Sequence, residues 1–205
     1  MLVKPSNYDE IQVNQEFEKL ELGGHKGIIK NIMEYTSAIS GNTSLKVEVD
    51  TSSDDKQPNY FQKQFDENTN MDKKWSNSGT KYVSLKQDEN CIKMLKAFIT
   101  SVENSNPNFV YDWNKEVDQL KGKKVGLVFG LEEYQNDKGE TKTITKLTQF
   151  RSIDKVDNAK IPNVRLLNGS YISYEDYKET KTEKNNSNSF KEFSDLVEIT
   201  DNLLD

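Results

Sequence analysis

The chain has 205 residues, a net charge of −6, 33% hydrophobic residues and a mean hydropathy of −0.87. This length fits one domain plus an appendage, and the composition predicts a modest core with much solvated surface. The longest apolar stretch, residues 125–131, is far too short to span a membrane, and no apolar leader follows Met1. Because the single cysteine, Cys91, cannot form an internal disulfide, we expect a cytoplasmic protein.

Three β-strands are predicted after a charged lead-in segment of residues 1–22. Residues 25–35 contain three β-branched isoleucines and predict strand one. Residues 45–50 alternate apolar and charged side chains, which is typical of a half-buried antiparallel strand two. Residues 60–65 are rich in aromatic side chains and predict strand three, followed by a long polar loop over residues 66–81.

A helix and a hairpin are predicted next. The segment from Ser84 to Gln87 has the form of a capping box and indicates a helix start, and Pro107 indicates its end. Residues 123–133 and 141–151 predict strands four and five, joined by a hairpin loop. This order predicts a mainly β fold, a five-stranded Greek-key OB-type barrel with one α-helix between strands three and four. Other small β-barrels stay open as alternatives.

The C-terminal part, residues 166–205, is predicted to be a flexible linker and acidic tail, because it has little to bury. Residues 23–165 then form the OB-type nucleic-acid-binding domain. From residue 192 onward there are five carboxylates and no base. Among them lie hydrophobic side chains that we predict to bind partner proteins, namely Phe193, Leu196, Ile199, Leu203 and Leu204.

The sequence lacks the residue sets that most classes of catalytic or metal site require. A structural zinc site needs about four Cys or His ligands, and the chain has one of each. For His25 we favour an ordinary exposed histidine over a catalytic base. Neighbouring carboxylates such as Glu132–Glu133 point to opposite faces of a strand, and Asp54–Asp55 lies in a polar loop where solvated charge is favoured over a Mg²⁺ site. We predict a non-enzymatic protein without catalytic residues, metal ligands or cofactors.

Single-stranded DNA is the predicted ligand. OB barrels stack bases on aromatic rings and track phosphates with basic side chains, on strands two and three and the flanking loops. The net negative charge requires a local basic patch, such as residues 138–165 with seven bases and three acids. Only two of the 28 basic residues are arginine, which disfavours sequence-specific duplex reading. The predicted binding residues are Lys46, Tyr60, Lys63, Trp75, Tyr134, Lys142, Lys146 and Arg151.

Three segments, residues 98–107, 120–134 and 150–153, resemble a family of phage-encoded single-stranded DNA-binding proteins of low-GC Gram-positive bacteria. The resemblance covers about residues 20–165. It implies an OB fold, binding without sequence specificity, and a role in phage replication or recombination in the cytoplasm of a bacterial host. The acidic tail is similar in kind to tips that recruit replication or recombination proteins, but it lacks their aromatic ending.

The sequence leaves three points open: the oligomeric state, the choice between DNA and RNA, and the class of function. The chain could form a homo-oligomer, and DNA is not distinguished from RNA. A different class of function is a protein-interaction module of phage or mobile-element origin, whose net negative charge would favour a basic partner.

Overall fold

The computed structural model describes Lys4 and residues 18–181. Strands and helices are numbered in chain order. The strands are β1 (Gly23–Thr36), β2 (Thr43–Thr51), β3 (Thr80–Ser84), β4 (Lys124–Gln135), β5 (Thr141–Arg151), β6 (Val164–Arg165) and β7 (Tyr171–Ile172). The helices are α1 (Tyr60–Glu67), α2 (Glu89–Ser105) and α3 (residues 174–181). The prediction of a mainly β chain is confirmed, and none of these described helices is both long and apolar enough to cross a bilayer.

The five long strands lie in the order β3-β2-β1-β4-β5, and each is antiparallel to its neighbours. Strand β1 joins the two halves of this sheet. Its residues Gly23 to Ile28 pair with β4, and its residues Gly27 to Thr36 pair with β2. A bulge between Ile29 and Asn31 lies just after the change of partner, where an extra residue allows a strand to bend.

The sheet is open between its two outer long strands. Strands β3 and β5 approach each other, but no backbone ladder joins them in the part of the chain that the structure describes. We call this gap the seam. The closed five-stranded barrel of the sequence prediction is therefore not confirmed.

The predicted strand three is wrong, because residues 60–65 lie in α1. The carboxylate of Asp50, at the end of β2, accepts the N–H of Phe61 at 2.8 Å and the N–H of Gln62 at 3.3 Å. A carboxylate that accepts the first free N–H groups of a helix stabilises its N-terminus. Phe61 is buried against Phe129, with ring centroids 5.9 Å apart. The third strand is instead β3, which begins in the segment predicted as a polar loop.

The predicted helix between the third and fourth strands is confirmed as α2, but the predicted capping box is wrong. Ser84 ends β3, and the N-cap is Asp88, whose carboxylate accepts the Cys91 N–H at 3.0 Å. Asn106 follows the helix, and its Oδ1 accepts the Lys124 N–H at 3.0 Å. This side chain ties the end of α2 to the start of β4. The buried face of α2 is formed by Phe98, Ile99, Ser101 and Val102.

The core lies where the inward faces of the strands meet α1 and α2. The predicted alternation of β2 is confirmed, since Leu45, Val47 and Val49 are buried and the residues between them are less so, as the pleat requires. The largest fully buried apolar side chains are Phe61, Phe98, Phe129, Ile29, Ile32, Leu120 and Leu127. Every long strand contributes buried apolar side chains to the core, and β5 contributes one, Leu147.

After β5 the chain crosses back over the sheet at two glycines. A Cβ atom at Gly24 would lie 1.9 Å from the Val156 carbonyl oxygen, and one at Gly126 would lie 2.7 Å from the Arg151 carbonyl oxygen. Only glycine permits these approaches.

The chain then forms a segment that we call the strap, residues 160–181. It contains β6, which pairs in parallel with β4, then β7, which pairs with β6, and finally α3. The sequence predicted no regular elements after residue 166. The predicted partner-binding residues from Phe193 to Leu204 lie outside the described residues.

Candidate nucleic-acid interface

A groove of about 880 Å³ follows the seam, and we call it the seam groove. Strands β3 and β5 form two of its walls, and the strap adds residues 160–163, Arg165 and Tyr171. Its ionised lining has an excess of four positive charges, whereas the whole chain carries −6. The five cations are Lys81, Lys146, Arg151, Lys160 and Arg165, and the single carboxylate is Glu132.

Glu132 positions two of the cations. It lies on β4, accepts a hydrogen bond from Arg165 of the strap, and has a carboxylate oxygen 3.6 Å from Lys146 Nζ. Glu132 and Arg165 are also the two residues through which β4 pairs with β6. Both backbone and side chains therefore hold the strap against the groove.

Lys81 lies on β3 and is half-buried. Burial lowers the pKa of Lys81, and the charge of Lys146 lowers it further, whereas the charge of Glu132 opposes this change. Two ammonium groups repel each other in a partly desolvated groove, and an anion that lies between them stabilises both charges. The groove therefore has the electrostatic character of an anion site.

Three of the predicted binding residues lie in or beside the seam groove. Lys146 and Arg151 line it. Lys46 on β2 does not line the groove, but it is the register partner of Tyr82 on β3, which does. Its Nζ is 2.5 Å from a carboxylate oxygen of Glu48. The other five do not lie in the groove.

Two of those five support packing. The hydroxyl of Tyr60 accepts the Leu20 N–H at 3.1 Å, and Trp75 Nε1 donates to the Val49 carbonyl at 3.1 Å. Both rings are half-buried against the core. The remaining three are Lys63, exposed on α1, and Tyr134 and Lys142, which face each other near the β4–β5 hairpin loop.

Sequence reasoning missed Tyr82, which is 47% exposed and borders the seam groove. The alternation of Lys81, Tyr82 and Val83 is typical of a strand, but the predicted loop ends at residue 81 and the predicted helix cap begins at Ser84, so no element is predicted for Tyr82. Lys160 and Arg165 do belong to the basic patch predicted between residues 138 and 165. The sequence therefore identified four of the five cations that line the seam groove, and the structure added the fifth, Lys81 on β3.

The prediction of an exposed His25 is wrong. Its side chain is buried, with Nδ1 2.8 Å from Asp55 Oδ1 and Nε2 3.1 Å from the Glu21 carbonyl oxygen. Its ring also packs edge-on against Phe129, with centroids 5.5 Å apart. Because both ring nitrogens have partners, His25 links β1 to two other segments and has no nitrogen left to activate a nucleophile.

Asp55 is not the solvated loop carboxylate that the sequence indicated. Besides His25, it accepts the Lys26 N–H at 2.7 Å and the Gln57 N–H at 2.9 Å. Burial by itself raises the pKa of Asp55, but these hydrogen bonds and the nearby imidazole outweigh burial and leave the pKa below its usual value. The carboxylate therefore organises the loop after β2.

Neither metal binding nor similarity to known proteins points to a further site. In residues 18–181, no group of three or more His, Cys, Asp or Glu side chains is placed to hold a metal ion. No family model and no curated protein matches the chain. The seam groove is therefore the candidate functional site.

Proposed function

We propose that the chain binds single-stranded DNA without sequence specificity, on an OB-type barrel, and protects it during phage replication or recombination. The strand order β3-β2-β1-β4-β5, with α2 between β3 and β4, supports this fold. The OB fold is a five-stranded Greek-key barrel that is partly open, and the seam fits such an opening. The kinship with phage single-stranded DNA-binding proteins is part of the same proposal.

The seam groove carries the proposal. Its excess of four positive charges stands in a chain with net charge −6, so the groove is a local positive patch on a negatively charged protein. Each phosphate neutralised on a single strand releases counterions and contributes about −0.7 to the slope of log affinity against log salt. Four such contacts predict a slope of about −3.

The test is fluorescence anisotropy of a labelled oligo-dT over a salt series, with a duplex of equal length beside it. In the first variant, Lys146→Ala and Arg151→Ala are combined in the groove. In the matched control, Lys93→Ala and Lys96→Ala are combined on the exposed surface of α2, so the same charge is removed. We expect the groove variant to bind about tenfold more weakly at low salt, with a salt slope shallower by about 1 to 2, because two phosphate contacts are lost.

Three results would contradict the proposal. One is that oligo-dT does not bind even at low salt. Another is an equal loss in both variants, which would assign binding to net charge and not to the groove. The third is tighter binding of the duplex than of the single strand.

A protein-interaction module is the second candidate. On the loop after α2, Val110 is 78% exposed and Trp113 is 69% exposed, which is unusual for large apolar side chains. The cleft between β1 and residues 116–121 is lined by three carboxylates and one cation, Lys121, and this negative excess suits a basic partner. The carboxylates are Glu34, Glu116 and Asp118. If oligo-dT does not bind, this surface becomes the leading site, and Trp113→Ala is the variant that tests it.

A further inference from the structure

We propose that Tyr35 and Tyr82 form a base-stacking platform continuous with the seam groove, so that bases lie on the tyrosines while phosphates follow the cations. This inference rests on the proposed function and deepens it, because it assigns the part of the site that distinguishes single strands from duplexes. Neither tyrosine was among the residues predicted from the sequence.

The register of the sheet places both rings on one face. Tyr82 on β3 is opposite Lys46 on β2, and Lys46 is opposite Met33 on β1. Residues directly opposite each other in antiparallel strands share a face, and so do residues two apart along one strand. Tyr35, two residues after Met33, therefore lies on the same face as Tyr82.

The two rings form an open pair. Their centroids are 5.4 Å apart with an angle of 57° between the ring planes, and the side chains are 42% and 47% exposed. Two rings stacked in parallel would cover each other, whereas tilted and exposed rings leave π surface to which a base can stack. Base stacking on aromatic side chains tolerates any sequence, because every base has a π face.

Polar groups surround the platform in a shallow cleft of about 450 Å³ between the β1–β2 loop and the start of α2. The oxygens of Ser37, Ser40 and Ser84 each accept a backbone N–H, at 3.2, 3.4 and 3.3 Å. A hydroxyl that accepts one hydrogen bond keeps its own proton for donation. These serines, with Lys86 at the rim, can therefore donate to base carbonyl or phosphate oxygens.

Tyr82 connects the platform to the seam groove, because it lines both. Lys81, its neighbour in the chain, points to the other face of β3 and contributes its cation to the groove. One strand thus presents a ring on one side and a cation on the other. A base stacked on Tyr82 would keep its own phosphates beside the cationic seam, and a paired base could not expose its face in this way.

The experiment compares oligo-dT with an abasic oligonucleotide of the same length, which carries the same phosphates but no bases. The full chain is titrated as wild type, Tyr35→Ala, Tyr82→Ala and Tyr82→Phe. Trp113→Ala is the matched control, since Trp113 is an aromatic residue that is 69% exposed on the loop after α2 and is not among the predicted DNA-binding residues. Unfolding midpoints verify that each exposed-tyrosine variant is folded.

We expect the wild type to prefer oligo-dT, and each alanine variant to lose about tenfold in oligo-dT affinity with little change for the abasic strand or the salt slope. Tyr82→Phe should keep the preference, because it keeps the ring, and Trp113→Ala should behave as wild type. The platform is overturned if both alanine variants bind oligo-dT as tightly as wild type while the groove variant weakens. If wild type binds neither oligonucleotide at low salt, the proposed function falls as well.

Discussion

Asp50 shows how a single buried carboxylate determines the conformation of a distant segment. Its oxygens accept N–H groups from Thr51 at 2.9 Å and from Phe61 and Gln62 in the first turn of α1. Burial raises the pKa of Asp50, and the three N–H donors oppose that rise because they favour the ionised form. The residue that precedes α1, Asn59, makes no side-chain cap of its own. Asp50 therefore supplies the cap from β2.

The substitution Asp50→Ala should lower the free energy of unfolding by about 2 kcal/mol, because two N–H groups of α1 lose their acceptor. The control is Asp66→Ala, which removes an exposed carboxylate from the last turn of the same helix and should change stability by less than about 0.5 kcal/mol. Urea unfolding followed by tryptophan fluorescence measures both. Equal midpoints for the two variants would show that the cap contributes nothing.

At the scale of elements, the strap is held by two adjacent carboxylates of β4 that point to opposite faces, as expected for neighbours on a strand. Glu132 binds Arg165 in the groove. Glu133 accepts the Leu167 N–H at 3.2 Å and the Tyr177 hydroxyl at 3.0 Å. One face of β4 thus anchors the groove wall, and the other anchors α3.

The Tyr177–Glu133 contact should be visible in a pH titration. Burial, with the hydrogen bond and charge of Glu133, raises the pKa of Tyr177 to about 12, against about 10 in an unfolded chain. A raised folded-state pKa means that this contribution to stability is fully present below pH of about 10 and is lost as pH rises through about 12.

Besides Tyr111, whose pKa is raised by burial and by the charge of Glu34, tyrosinate absorbance should show one group with a pKa of about 12 in the wild type. That group should be absent in Tyr177→Phe, and in Glu133→Gln it should titrate closer to pH of about 10. Tyr171→Phe is the control, because Tyr171 is exposed on the same strap. An unchanged late phase in Tyr177→Phe would mean that another tyrosine causes it.

At the scale of the whole molecule, charge is distributed unevenly. The seam groove has an excess of cations, whereas residues 182–205 carry six carboxylates against two lysines, which is four of the six excess negative charges of the chain. An anionic segment tethered to a cationic groove competes with DNA for that groove, most strongly at low salt.

Deleting residues 182–205 should therefore tighten oligo-dT binding severalfold at low salt and have little effect at high salt. The cut leaves Lys181, whose Nζ lies 3.7 Å from a Glu133 carboxylate oxygen, in place. A full-length variant with the six carboxylates changed to amides should behave like the truncation if charge is the cause. Anisotropy titrations give the affinities, and unchanged or weaker binding by both proteins would contradict the competition.

The sequence pattern predicts an element correctly where the conformation of that element depends mainly on its own residues. The alternation in β2, the hairpin of β4 and β5, the helix before that hairpin and the basic patch of residues 138–165 were all predicted. Each depends on neighbours within a few positions of the chain, so the sequence alone determined a mainly β protein with one long helix before its last hairpin.

Tertiary structure decided the rest. Residues 60–65 are helical because Asp50, 11 residues away from Phe61, caps them, and no local pattern contains that contact. The misplaced third strand in turn hid Tyr82 and Lys81, and the seam groove exists only where β3, β5 and the strap converge. A binding surface assembled from side chains distant in the chain depends on how strands pair, and the pairing is set by burial of the whole core, which a single segment does not encode.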